Sequence, residues 1–147
     1  MIAGGGTGGH IYPGLALAEE LKKRVPDAEI HFVGAKGGLE EKIIPKHGYP
    51  IHLLSVGRLH SSVGLFRRIK AALTLPLSFF QAFFLYLSLR PKWVLGVGGF
   101  ASGPFVFTAA VLGGQTAVLD PNAYPGLANR WLSKLVKHCF VVFDRAG

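Results

Sequence analysis

Acidic residues are missing from a long stretch of this chain. None occurs between Glu41 and Asp120, an interval that holds Lys42, Lys46, Arg58, Arg67, Arg68, Lys70, Arg90 and Lys92. With a formal net charge of +8, the chain carries an uneven positive field. Such a field attracts anions: nucleic acid, anionic lipid or a phosphorylated substrate. A solvated basic face would account for the same charges. Cysteine is nearly absent as well. The single Cys139 opens an apolar run, which excludes a disulfide scaffold, fits a reducing compartment and reads as core. No signal-peptide pattern precedes the first motif. Apart from His10, the histidines at 31, 47, 52, 60 and 138 share no spacing, and no metal-ligand pattern appears. Repeats, low-complexity segments and interdomain linkers are also lacking.

What is present points to one compact domain. The chain has 147 residues, half of them hydrophobic, and 20 glycines. Apolar runs alternate with helical stretches. Strands are expected near residues 1–3, 30–33, 51–56, 92–96, 116–119 and 139–143. Helices are expected over 12–24, 39–47, 65–89, 103–112 and 126–137. In the first helix Leu15, Ala18, Leu21 and Val25 fall on one stripe, which predicts a core-facing side. Repeated βα units demand parallel strands with right-handed crossovers, so the expected fold is an α/β, Rossmann-like, doubly wound parallel sheet. The first strand has only Met1-Ile2-Ala3 before glycines begin, so a few further residues are expected ahead of Met1.

In such sheets ligands bind beyond the carboxyl ends of the strands. Three loops there carry chemistry. The first, Gly4-Gly5-Gly6-Thr7-Gly8-Gly9-His10, follows a strand and opens a helix. Glycines let backbone N–H groups reach an anion without obstruction, and the helix N-terminus adds partial positive charge, so phosphate or diphosphate is the expected guest. Gly4, Gly6 and Gly9 match a dinucleotide fingerprint in spacing. However, the second strand ends in Val33-Gly34 without the acid that a ribose needs, which argues against NAD. No Gly-Lys-Ser/Thr follows, so the loop is not a P-loop. His10, at the helix entry, is the side chain suited to take a hydroxyl proton near neutral pH; a structural or ligand-orienting role stands beside that reading. The second loop, Gly96-Val97-Gly98-Gly99-Phe100-Ala101-Ser102-Gly103-Pro104, also joins strand to helix. Two such loops at one sheet edge suggest a guest with more than one phosphate. The third loop, from Leu119 to Arg130, holds Asp120, the only acid between Pro50 and Phe143, and Asn122. An Asx turn at a helix start explains either residue as well as a ligand contact does.

The residues from Ala71 to Leu89 carry no charge and number 19, just enough to span a bilayer as a helix. Thr74, Pro76, Ser78, Gln81 and Ser88 dilute the run, and removing it would break the βα alternation. Its apolar residues form two sets: Phe79, Phe83 and Tyr86, and Leu73, Leu77, Phe80, Phe84 and Leu87. One set packs on the sheet and the other is left over. We assign Phe79, Phe83 and Tyr86, with Arg67, Arg68 and Lys70 before them, to an exposed monotopic membrane patch. Packing of the spare face against a missing element is the alternative.

Taken together, Gly4 to His10 with Ile11-Tyr12-Pro13-Gly14, then Gly98 to Pro104, then Asn122 with Pro125-Gly126 and Asn129-Arg130, resemble the N-terminal half of the MurG family. The resemblance covers nearly the whole chain. It implies one half of a GT-B glycosyltransferase, in which two Rossmann-like domains face a cleft. Such enzymes use no metal and no cofactor. They move GlcNAc from UDP-GlcNAc to the C4 hydroxyl of the muramoyl sugar of lipid I, with inversion, giving lipid II at the cytoplasmic face of the bacterial plasma membrane. Residues 1–147 would be the acceptor and membrane-associating domain. Carried over by position, Thr7, Gly8 and Gly9 would touch the donor or the transferring group, and His10 would be the base or its helper. Gly98, Gly99 and Ser102 would hold the acceptor's diphosphate, and Asn122 would reach the donor sugar. Leu119-Asp120-Pro121-Asn122 stands where the family reads His-Glu-Gln-Asn, which leaves a catalytic role for Asp120 in doubt. Phe100 stands where Tyr is common. The family's UDP-binding second domain does not occur in these residues, so the chain alone is expected to be inert. Other readings are a stand-alone acceptor subunit of a split GlcNAc transferase, or a nucleic-acid-binding module. The second has charge in its favour but no basic-aromatic motif, so nucleic acid is not an expected partner.

Overall fold

A computed structural model describes residues 1–56, 65–122, 124 and 126–142, without the side chains of 65–73. Six strands alternate with five helices in the described residues. The strands are β1 (Ile2–Gly4), β2 (Phe32–Ala35), β3 (Ile51–Leu54), β4 (Val94–Gly98), β5 (Thr116–Asp120) and β6 (His138–Val141). The helices are α1 (Gly8–Arg24), α2 (Glu40–Lys46), α3 (Leu65–Leu89), α4 (Ser102–Val111) and α5 (Leu127–Leu132). All strand pairs are parallel, in the order β3-β2-β1-β4-β5-β6. The doubly wound sheet expected from the alternation is thus the one observed.

Side chains alternate across this sheet with period two, and each face has its own core. Ile2, Phe32 and Val97 pack with Ile11, Leu15 and Ala18 of α1 and Ile44 of α2. Ala3, Val33 and Val94 pack with Ala82 of α3, Phe105 and Val106 of α4 and Leu132 of α5. The chain runs outward from β1 to β3, returns through α3 to β4, and then runs outward the other way. The reversal lies between β1 and β4, so the crevice at their carboxyl ends is where such a sheet opens to a ligand.

Several expectations are corrected. Cys139 of β6, expected in the core, is exposed. On α1, Ile11, Gly14, Leu15 and Ala18 face the core, but Leu21 and Val25 are exposed. At about 1.5 Å per residue the helix outruns the short strands beneath it, and its last turns pass beyond the sheet. On α3, Phe79 and Tyr86 turn inward. Phe79 meets Phe107 edge-on at 5.4 Å between ring centroids, and Tyr86 packs against the α4-side core. Phe83 alone of that set is exposed; the outer face is instead Leu77, Phe80, Phe84 and Leu87. Small residues decide the orientation, because Ser78 and Ala82 are fully buried and let the helix lie close. Gln81 also faces in, accepting the Ser55 N–H at 2.7 Å after β3. The side chains of Arg67, Arg68 and Lys70 lie outside the described residues. Among the described residues no helix is long and apolar enough to cross a membrane. Finally, two histidines without shared spacing do meet. β2 and β3 pair with Val33 opposite His52, which brings His31 Nδ1 within 2.9 Å of His52 Nε2 with the rings stacked. Burial, then the neighbouring His31, lowers the His52 pKa from its ordinary value. This pair lies at the amino ends of the strands, away from the crevice.

Candidate functional site at the β1/β4 crevice

The pairing of β1 with β4 slips at the carboxyl end: Ala3 lies opposite Gly96, but Gly4 lies opposite Gly98. Val97 is skipped, and its carbonyl oxygen lies 2.9 Å from His10 Nδ1 in the first turn of α1. A carbonyl oxygen only accepts, so Nδ1 is the nitrogen that carries hydrogen. In the neutral ring Nε2 then keeps its lone pair, on the side away from Val97. The irregularity in the sheet thereby fixes both the orientation and the tautomer of the half-buried His10.

The two glycine loops are in direct contact. Gly5 N–H donates to the Gly98 carbonyl at 3.2 Å. Gly98 and Gly99 adopt φ of 95° and 88°, a region that other residues enter only at a cost. A Cβ on Gly98 would come within 2.6 Å of the His10 ring, and one on Gly99 would strike the Gly5 backbone. Glycine is therefore needed at these positions for the loops to close on each other, whatever binds there.

Both loops end at helix starts whose N-cap residues make no side-chain capping bond. Thr7 is the N-cap of α1 yet makes no capping hydrogen bond, and Ala101 precedes α4 without one. Neither helix has an acid in its first turn. The first N–H groups of a helix have no partner within it, so α1 and α4 direct unpaired donors and partial positive charge toward one edge. Thr7 and Gly9 are exposed and Gly8 is half-buried there. Ser102 differs from expectation. Its hydroxyl is fully buried, has no hydrogen-bond partner among the described residues, and lies against Gly96 of β4. In this arrangement the Ser102 hydroxyl is turned toward β4 and is not exposed at the crevice.

The third loop follows β5, one strand further out. Asp120 is 3% exposed. Its Oδ1 accepts from Asn122 N at 3.0 Å and Asn122 Nδ2 at 3.2 Å. Its Oδ2 accepts from Gly126 N at 2.9 Å and Asn129 Nδ2 at 3.0 Å. Burial pushes the carboxyl pKa up, but the Asn122 N–H, the Asn129 amide, the Gly126 N–H and the Asn122 amide outweigh it and leave it below its ordinary value. The four bonds occupy the acceptor capacity of the carboxylate. Asp120 is therefore corrected from a doubtful catalytic group to the residue that positions this loop and the exposed Asn122.

One residue at this edge was not singled out from the sequence. Glu40, at the start of α2, is 1% exposed. Its Oε2 accepts from Gly6 N at 2.8 Å and its Oε1 from Ala35 N at 2.9 Å. An available signal was the clustering of Gly34, Gly37 and Gly38 just ahead of a glutamate at a helix start. Among the described residues, no three His, Cys, Asp or Glu side chains converge as metal ligands.

Residues 1–141 match the glycosyltransferase family 28 N-terminal domain. The chain is 51% identical over 146 residues to a UDP-N-acetylglucosamine--N-acetylmuramyl-(pentapeptide) pyrophosphoryl-undecaprenol N-acetylglucosamine transferase of Bdellovibrio bacteriovorus, across 99% of this chain and 41% of that protein. It is 44% identical to the protein of the same name in Myxococcus xanthus, across 99% of this chain and 38% of that one. Among solved structures it resembles MurG of Acinetobacter baumannii, with a TM-score of 0.86 at 26% identity, covering 100% of this chain and 42% of the other. The chain thus spans about two fifths of the length of these relatives.

Proposed function

The chain belongs to the glycosyltransferase family 28 N-terminal domain family, and from that premise we propose that it is the acceptor half of an enzyme transferring GlcNAc from UDP-GlcNAc to lipid I. The observation that carries this reading is His10, fixed through Nδ1 so that the lone pair of the neutral ring is on Nε2, between two helix starts whose N-cap residues make no side-chain capping bond. In the proposed step the C4 hydroxyl of the muramoyl sugar gives its proton to His10 Nε2. Its oxygen bonds to the anomeric carbon of GlcNAc from the face opposite UDP, the bond to UDP breaks, and UDP leaves with the electron pair. Backbone N–H groups of the second loop hold the acceptor's diphosphate, and Thr7, Gly8 and Gly9 face the donor sugar. Asn122, positioned by Asp120, reaches toward that same sugar. The remainder of the relatives' length would supply the UDP site.

The test is transfer from UDP-GlcNAc to a lipid I analogue. The chain would be assayed alone and joined to the carboxyl-terminal part of the Bdellovibrio bacteriovorus relative. Transfer by the joined protein only is the expected result. No transfer by the joined protein, together with no binding of the analogue by the chain, would end this reading.

The same proposal gives α3 a membrane role at the cytoplasmic face of the bacterial plasma membrane, as a peripheral contact. Leu77, Phe80, Phe84 and Leu87 form its outer face, with exposed Arg90 and Lys92 just beyond its end. Exposed apolar residues beside cations suit an anionic interface. Phe80 and Phe84 are 63% and 54% exposed, so replacing both by Glu should cost the fold little. Each buried Phe is worth about 1.5–3 kcal/mol, so partition onto vesicles containing phosphatidylglycerol should fall by at least about 100-fold with an unchanged melting temperature. Vesicle binding that the double substitution leaves intact would remove α3 from the contact.

A further inference from the structure

Glu40 does more than start its helix. Its neighbour Glu41 already serves the local turn, with Oε2 accepting from Gly37 N at 2.7 Å. Glu40 instead reaches back to the first glycine loop and takes the Gly6 N–H. Space for it is made by absence of side chains: a Cβ on Gly5 or Gly38 would collide with its carboxyl group, and one on Gly34 with its Cγ. Gly5 of the first loop, Gly34 of β2 and Gly38 ahead of α2 thus form a cradle for the Glu40 side chain, beside the loop that carries Thr7 and the start of α1. The helix that the second loop feeds differs: α4 has no acid in its first turn.

We propose that Glu40 is a specificity-determining residue of this edge, an internal anion that occupies the first loop so that a diphosphate is held by the second loop alone. The proposal rests on the reading of the crevice as a sugar-diphosphate site. A buried carboxylate is poorly screened, and a second anion brought to the same loop meets its repulsion. The first loop keeps its outward N–H groups and the Thr7 hydroxyl, which suit the uncharged hydroxyls of a sugar. The division serves the reaction: the charged part of the substrate is kept off the loop that carries His10, and the reacting hydroxyl is left to approach it.

The test maps backbone amide shifts of the isotope-labelled chain during titration with inorganic diphosphate. In the wild type, Gly99, Ser102 and Gly103 should shift saturably while Gly6, Gly8 and Gly9 stay in place. In Glu40→Gln, Gly6, Gly8 and Gly9 should join, at concentrations at least 10-fold lower than any that move them in the wild type. Glu40→Asp keeps the charge and should still exclude diphosphate from the first loop. Wild-type Gly6 and Gly8 moving along the same curve as Ser102 would overturn the proposal and leave the proposed function standing, as would a Glu40→Gln map identical to the wild type. Silence of both loops in both proteins would overturn the sugar-diphosphate reading and this proposal with it. Should Glu40→Gln fail to fold, the wild-type map decides by itself.

Discussion

His10→Ala in the joined, active protein should lower kcat for GlcNAc transfer by about two to four orders of magnitude, with a much smaller change in the KM for the lipid I analogue. That range is the usual contribution of a positioned general base. The alanine removes the only imidazole at the crevice among the described residues while leaving the two loops in contact through Gly5 and Gly98. The methyl side chain also frees the space that the ring fills above Gly98, so local settling is expected and global unfolding is not.

A second substitution separates chemistry from architecture. Asparagine at position 10 offers an N–H that can reach for the Val97 carbonyl, which is the contact that orients the imidazole. It has no basic nitrogen. If His10 takes the proton, His10→Asn should be as slow as His10→Ala. If His10 only braces α1 against β4, His10→Asn should recover most of the activity. The measurement is the ratio of the two kcat values, taken with melting temperatures to confirm that both variants are folded.

Much of the fold could be read from the sequence because parallel strands buried on both faces appear as short apolar runs between glycines. Val94 to Gly98 and Thr116 to Asp120 are such runs, and the loops that follow them lie, as expected, at the carboxyl ends of the strands. The helix beginning at Gly8 was expected only from Tyr12, since glycine is a poor helix former and its tolerance in a first turn is set by the loop that feeds it. The face of α3 was a harder choice. Both of its apolar sets are large, and what decides between them is the small pair Ser78 and Ala82 on the sheet side. Site residues were legible where the chemistry is local, as at Gly98 and Gly99. They were not where the partner is remote: Glu40 and Gly6 are 34 positions apart, and the tautomer of His10 depends on Val97, 87 positions away. Pairing of that kind follows from register and from the crossover through α3, which sequence spacing does not encode.

Asp120→Ala should destabilise the chain by about 2–4 kcal/mol, seen as a fall of about 10 °C in melting temperature. The loss arises from the donors left behind. Asn129, itself 3% exposed, would keep a buried side-chain amide without its carboxylate partner, and the N–H groups of Asn122 and Gly126 would lose theirs. Acid should act on the same bonds. The folded carboxyl titrates below its ordinary value of 3.8, so between those two values the unfolded chain binds a proton that the native chain does not. The stabilisation is therefore fully present above about pH 5 and is lost as the pH falls through the folded value. Asp120→Asn cannot titrate, and its second group is a donor facing donors, so it should be less stable at neutral pH yet lose less on acidification. Melting curves of the wild type and Asp120→Asn from pH 7 to pH 3 should therefore converge. Curves that stay parallel would mean that the carboxylate charge contributes nothing, and the loop would then be held by shape alone. Converging curves would tie the placement of Asn122, and with it the outer wall of the crevice, to one ionised aspartate.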